Sequence, residues 1–247
     1  MIRMKINRVD RQNNNTPILS NSEIESFAYD VMKDYKPELL REPGAVSYEH
    51  FLENYLELEV VFKDIYYDDP KRPIFGLTAF RGCTVKVFDR ENECISNMIV
   101  PPNTVIIDNY VLESGREGMA AFTGFHEGGH YLIHPEVYTV QRTGLICCRR
   151  ENLESVKEDC SQWTAAQWRE HHANHFASSF AMPNTTFRPL VNAFLRENSV
   201  WKGRIILGAD DDLDLLAKDI LPEYIVDIYG VSKRAAAVKL RKSGFVV

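Results

Sequence analysis

The stretch FHEGGHYLIH, residues 125–134, limits what this chain can fold into more than any other. Its apolar residues read as a helix, yet Gly128 and Gly129 stand inside it, where each costs about 1 kcal/mol relative to alanine. A helix this weak by propensity needs tertiary support from close packing, from a bound ion, or from both. On a helix, His126 and His130 project from one face about a turn apart, the geometry two imidazoles need to share a tetrahedral zinc ion. Glu127 leans to the same side, where a carboxylate can take a proton from zinc-bound water. The competing reading is a helix that carries two surface histidines by coincidence. Bare positions at 128 and 129 admit another backbone or a substrate, which favours a site.

A catalytic zinc takes three protein ligands and keeps one position open. A metzincin continuation would put glycine at 133 and histidine at 136, but the chain has Ile133 and Glu136, with Pro135 breaking the helix. His134 lies one turn past His130, and three ligands in line along one helix suit a tetrahedral ion badly. It is a candidate to pack or hydrogen-bond beside the site. Glu170, in WREHHANHFASSFAMP, shares a helical face with Ala173, Asn174 and Ala177. Two alanines let that helix come close enough for a short carboxylate to reach a metal. Asn174 points the same way and can hydrogen-bond a ligating histidine. His171 and His172 are rivals that lie off the alanine stripe. The competing reading makes Glu170 a surface residue of an amphipathic helix. Glu170 is the expected third ligand.

Residues 1–19 are polar and Asn-rich and read as a loose arm. A helix is expected from Asn21 to Tyr35, opened by a Ser20/Glu23 capping box, with Ile24, Phe27, Ala28 and Val31 on one face. A second helix follows Ser47 and carries Phe51, Leu52, Tyr55 and Leu56. Between Leu58 and Asp108, GLTAF, TVKVFD and TVIID read as short strands, antiparallel because the intervals are too short for helical crossovers. Helix resumes near Arg116, and residues 134–162 read as a long connection. Thr164 and Gln167 open another helix that Pro183 stops, with Trp163 and Trp168 packed at its start. Three short helical patterns finish the chain, the last from Ser232 to Gly244.

A net charge of −6 argues against a protein that coats nucleic acid. Residues 231–247, however, carry five basic side chains (Lys233, Arg234, Lys239, Arg241 and Lys242) and no acidic one. Either this is a DNA-reading helix-turn-helix with Lys233, Arg234 and Lys239 on phosphates, or it is a helical subdomain that packs on the core or docks the substrate. The continuous apolar side of Ala235, Ala236, Val238 and Leu240 favours the second, so DNA binding is not expected. Five cysteines without a CxxC pair fit neither a disulfide framework nor a thiolate zinc site, and Cys147-Cys148 reads as a pair of idle thiols. With no apolar leader and no run of 18 apolar residues, the expectation is a cytoplasmic protein with no membrane partner.

HExGH with the trailing His134, followed by ExxANxFAxxxxMP from Glu170 to Pro183, resembles the ImmA/IrrE metallo-endopeptidases. FGLTAF and NTVIID are similar to the strands these proteins place before the zinc helix, and the order of elements matches over roughly residues 20–240. Gly128 departs from the family's bulky residue. The resemblance implies an α+β fold: a zincin-like core with a small antiparallel sheet over 20–200, and a helix-turn-helix-like helical subdomain over 201–247. It implies His126, His130 and Glu170 as ligands of Zn2+, with Mn2+ the alternative metal, and Glu127 as base. It further implies a bacterial cytoplasmic protease that cuts helix-turn-helix (XRE-type) repressors, often from phages or mobile elements, and so relieves repression. Candidates to stabilise the transition state are His134, Tyr131, His171 and His172, and TVKVFD is the candidate edge for an added substrate strand. A reading from another class is a non-proteolytic DNA-binding or anti-repressor regulator with a structural metal.

Overall fold

The computed structural model describes residues 2–69, 73–140, 145–149 and 163–247. The Ser20 hydroxyl caps the Glu23 N–H while the Glu23 carboxylate reaches back to the Ser20 N–H, and this reciprocal box starts α1, Asn21–Tyr35. Ser47 caps α2, Tyr48–His50, which runs on as a wider π turn over Phe51–Tyr55. The principal strands are β3 (Glu59–Lys63), β4 (Ile74–Ala79), β5 (Cys83–Asp89), β6 (Cys94–Val100) and β7 (Thr104–Asp108). They follow a short N-terminal hairpin of β1 (Val9–Asp10) and β2 (Thr16–Pro17). Helix α3, Glu117–Ile133, comes next, then α4 (Pro135–Val140) and β8 (Leu145–Arg149). The chain closes with α5 (Ala165–Ala181), α6 (Asn184–Glu197), α7 (Asp211–Leu215), α8 (Leu221–Tyr229) and α9 (Lys233–Lys242). This is a mixed α+β fold with small sheets.

The main sheet has the order β3-β7-β4-β8 and is not wholly antiparallel, as expected from interval length, but mixed. Strands β3 and β7 run parallel, with Val61 opposite Ile106. Their crossover is built from strands β4 to β6 instead of a helix, an arrangement interval length does not reveal. TVKVFD is β5, which pairs with β6 in a separate hairpin and meets the segment just after β3 through the isolated Ile65–Val87 bridge. It is therefore not an edge of the main sheet. The stretch read as a long connection contains a helix and a strand: α4 starts at Pro135, and β8 pairs antiparallel with β4, Ile146 opposite Thr78. The side chains of Cys147 and Cys148, read as idle thiols, lie outside the described residues.

Residues read as a loose arm carry the β1–β2 hairpin, and Ile2 and Met4 pack against the main core. Thr16 is buried and accepts a hydrogen bond from Arg169 Nη1 at 2.6 Å. At the other end, Leu221, Ile225, Ala236, Leu240 and Phe245 belong to the same apolar cluster as Phe51, Phe125 and Phe176. The segment 201–247 thus shares its core with α3 and α5. Gly118, in the first turn of α3, makes this junction tight: a Cβ there would fall 2.3 Å from the Ser232 nitrogen.

Lys239 is buried on the inner side of α9, its ammonium 5.7 Å from the centre of the Phe187 ring. Burial, against the pull of Glu25, brings its pKa down to about 8 from 10.5. A base whose pKa falls on folding is held by the native state in its less protonated form. Stability is therefore reduced below pH 8 and recovered as pH rises toward 10.5. Lys239→Met keeps the apolar stem and is expected to raise stability near neutral pH by about 2–3 kcal/mol. Urea unfolding of both proteins between about pH 7 and 9.5 checks this: the gap between them should narrow as pH rises.

Candidate metal centre

Two helices and one strand bring the site together. Gly129 faces α5, where a Cβ would lie 3.0 Å from Phe176 Cδ1 and 3.3 Å from Ala173 Cα. On the opposite side Gly128 faces the Phe51 ring, 2.8 Å from where a Cβ would stand. Close approach thus leaves little room for a side chain at either position. Ala173 and Ala177 are fully buried against α3, as the alanine stripe predicts. The short separation carries Glu170 to the histidines.

His126 Nε2 and His130 Nε2 stand 2.9 Å apart. Glu170 Oε2 lies 3.3 Å from the first and Oε1 3.5 Å from the second. His126 Nδ1 faces Asn174 Oδ1 at 2.8 Å, so that nitrogen carries the proton and Nε2 presents a lone pair. Burial pulls His130 down to about 4, outweighing Glu170, which leaves the ring uncharged near neutral pH. Burial also opposes charge on Glu170, but the imidazoles of His130 and His126 more than offset it and bring the carboxyl to about 2. Buried Oε2 of Glu170 has no hydrogen-bond partner. Two imidazole nitrogens and a carboxylate oxygen, all within 4.8 Å of one another, are a donor set that could hold a metal ion. Converging lone pairs beside an orphaned, ionised oxygen are what a cation would relieve, so the residues fit one.

Glu127 has no exposed surface and accepts a hydrogen bond at Oε2 from the Thr78 hydroxyl in β4. Gly76 gives this carboxylate its room, since a Cβ there would sit 2.7 Å from Glu127 Oε1 and 2.8 Å from Thr123 Cγ2. The histidines beyond the donor set divide. His130 Nδ1 is 3.0 Å from His134 Nδ1, and His134 Nε2 is 3.2 Å from His172 Nδ1. Burial lowers His134 well below the ordinary histidine range and His172 to about 3. Two other expected participants point elsewhere: the Tyr131 ring lies against Phe80, and His171 Nε2 faces Asn21 Oδ1 at 2.8 Å. Trp163 and Trp168 pack edge to face at the start of α5.

Thr78, Arg169 and Tyr138 were not foreseen from the sequence. Arg169, almost buried, donates from Nε to the Tyr138 hydroxyl at 2.8 Å, and the Tyr138 ring is 6.4 Å from that of His130. The available signals were a hydroxyl in the middle of the apolar run IFGLTA and a charged residue adjoining Glu170 on its helix.

No family model matches the chain, and no curated protein does. Among solved structures it is similar to a Mycobacterium tuberculosis transcriptional regulator. Identity is 14% and the TM-score 0.37, with 90% of this chain and 52% of that one covered. The chain spans about half the length of that protein, and so loose a superposition carries neither fold nor function across. Among the described residues no helix is long and apolar enough to cross a membrane.

The purified chain is expected to bind one divalent metal ion, and Glu170→Ala to lose most of it, as measured by metal content per chain after dialysis against the buffered ion. Gly76→Ala forces Glu127 and Thr123 to yield and is expected to destabilise the fold by about 1–3 kcal/mol, read from urea unfolding.

Proposed function

We propose that this chain is a metal-dependent endopeptidase with a zincin-like core, centred on His126, His130 and Glu170, that cuts a helix-turn-helix repressor. The carrying observation is the convergence of these three donors beside Glu127, whose carboxylate is oriented by Thr78. Zinc is the metal of choice for this donor set, and when bound it supplies a Lewis acid that polarises a carbonyl and makes a water molecule acidic. Glu127 takes the proton of the attacking water and passes it to the leaving amine. Asn174 holds the His126 ring by its Nδ1 proton, which keeps Nε2 turned inward. Glu170 retains 15% side-chain exposure, although its Oε2 is buried. The substrate class rests on the resemblance of HEGGH and the Glu170–Pro183 stretch to the ImmA/IrrE peptidases.

A DNA-binding regulator is the weaker reading. Lys233, one of three basic side chains available to phosphates, is paired with Asp219 at 2.8 Å and Glu223 at 3.0 Å. Lys239, the second, is buried. A phosphate-reading helix keeps such groups extended into solvent.

Zinc-loaded protein should cut a helix-turn-helix repressor encoded beside its gene into two fragments, identified by their masses. Glu127→Gln should retain zinc and lose at least about 100-fold in cleavage rate. Cleavage by that variant at the parental rate would sink the mechanism.

A further inference from the structure

A row of imidazoles leads out of the metal centre. His130 Nδ1 meets His134 Nδ1 at 3.0 Å, and His134 Nε2 meets His172 Nδ1 at 3.2 Å. The His134 and His172 rings are 5.5 Å apart between centres and only 18° from coplanar. Given the short nitrogen–nitrogen distance, this is an end-to-end hydrogen bond in the ring plane and not a face-to-face stack. His130 and His134 have no exposed surface, and His172 has almost none. Bulk solvent therefore does not reach these nitrogens, and the rings hydrogen-bond one another.

A neutral imidazole owns one N–H and one lone pair, so the tautomer of each ring is dictated by its neighbour. Two directions are allowed. In one, His130 donates from Nδ1 to His134 Nδ1, His134 donates from Nε2 to His172 Nδ1, and the His130 Nε2 lone pair faces the donor cluster. In the other, every proton is shifted along: His172 donates from Nδ1, His134 from Nδ1, and His130 from Nε2 toward His126 Nε2, 2.9 Å away. The second arrangement pairs the two facing nitrogens without a cation and still leaves the buried Glu170 oxygen without a donor. The first is the only one in which His130 can ligate through Nε2.

We propose that His134 and His172 are positioning residues for the metal ligand His130, and that binding of the cation selects one of the two directions of the His130–His134–His172 hydrogen-bond row. This rests on the metal-centre reading above. Occupation of the site is then written into the tautomer of His172, two rings away, on α5. His134 fixes the rotation of the His130 ring and accepts its Nδ1 proton, the outer-shell contact whose loss from a metal site typically weakens affinity about 10- to 100-fold. His172 holds His134 in the accepting tautomer.

Long-range proton–nitrogen NMR of the 15N-histidine-labelled chain, before and after addition of zinc alone, reads each tautomer directly. With zinc, His130 should be protonated at Nδ1, and His134 and His172 at Nε2. Zinc affinity by competition with a chelating dye should fall about 10- to 100-fold in His134→Phe. His134→Asn, whose side-chain oxygen can still accept from His130, should recover most of that loss. Zinc bound tightly with His134 or His172 protonated at Nδ1 would overturn the row and leave the metal centre standing. So would equal affinities in the parent and His134→Phe. If the parent binds no zinc, both readings fall together.

Discussion

At Gly129 and Ala173 the backbones of α3 and α5 come so close that a single added methyl would crowd Phe176 and Ala173. The convergence of His126, His130 and Glu170 follows from that approach. A glutamate side chain is short, and only a narrow helix pair lets Glu170 place its oxygens 3.3 and 3.5 Å from imidazole nitrogens on the other helix. The same contact settles why a helix with two interior glycines persists. Each glycine costs about 1 kcal/mol by propensity. That is recovered because Phe51 fills the space beside Gly128 and Phe176 the space beside Gly129, burying aromatic surface of much greater worth.

A cluster of buried polar groups is costly to assemble unless its members satisfy one another. Here the hydrogen-bonding is nearly closed. Asn174 serves His126, His134 serves His130, His172 serves His134, and Thr78 serves Glu127. Beside the convergent nitrogens, the buried Glu170 Oε2 has no hydrogen-bond partner. An apolar core would be simpler to build, and the polar arrangement retained here is a donor set that could hold a metal ion.

How much of this was legible in the sequence depends on whether the signal was local. The capping boxes at Ser20 and Thr164 fix helix starts by contacts three residues apart, and both helices begin where those residues place them. His126 and His130 share a helix, and Glu170 announces itself through alanines on its own face. Non-local pairings were not legible. Strand β8 carries no turn signal that ties it to β4, and the parallel partnership of β3 and β7 depends on a strand-built crossover. Thr78 was invisible as a partner of Glu127 because 49 residues separate them. His171 and His172 are adjacent on one helix and were equivalent in the sequence. The fold separates them, since neighbouring positions on α5 face different surroundings: Asn21 for one, His134 for the other.

The contact at Gly118 has a mechanical meaning. Where side chains separate two elements, a push on one is absorbed by rotamer changes before it reaches the other. No side chain intervenes between the first turn of α3 and the Val231–Ser232 backbone that opens α9. The basic helix and the helix carrying His126 and His130 are therefore bolted together and not sprung, and they shift as one piece or stay still.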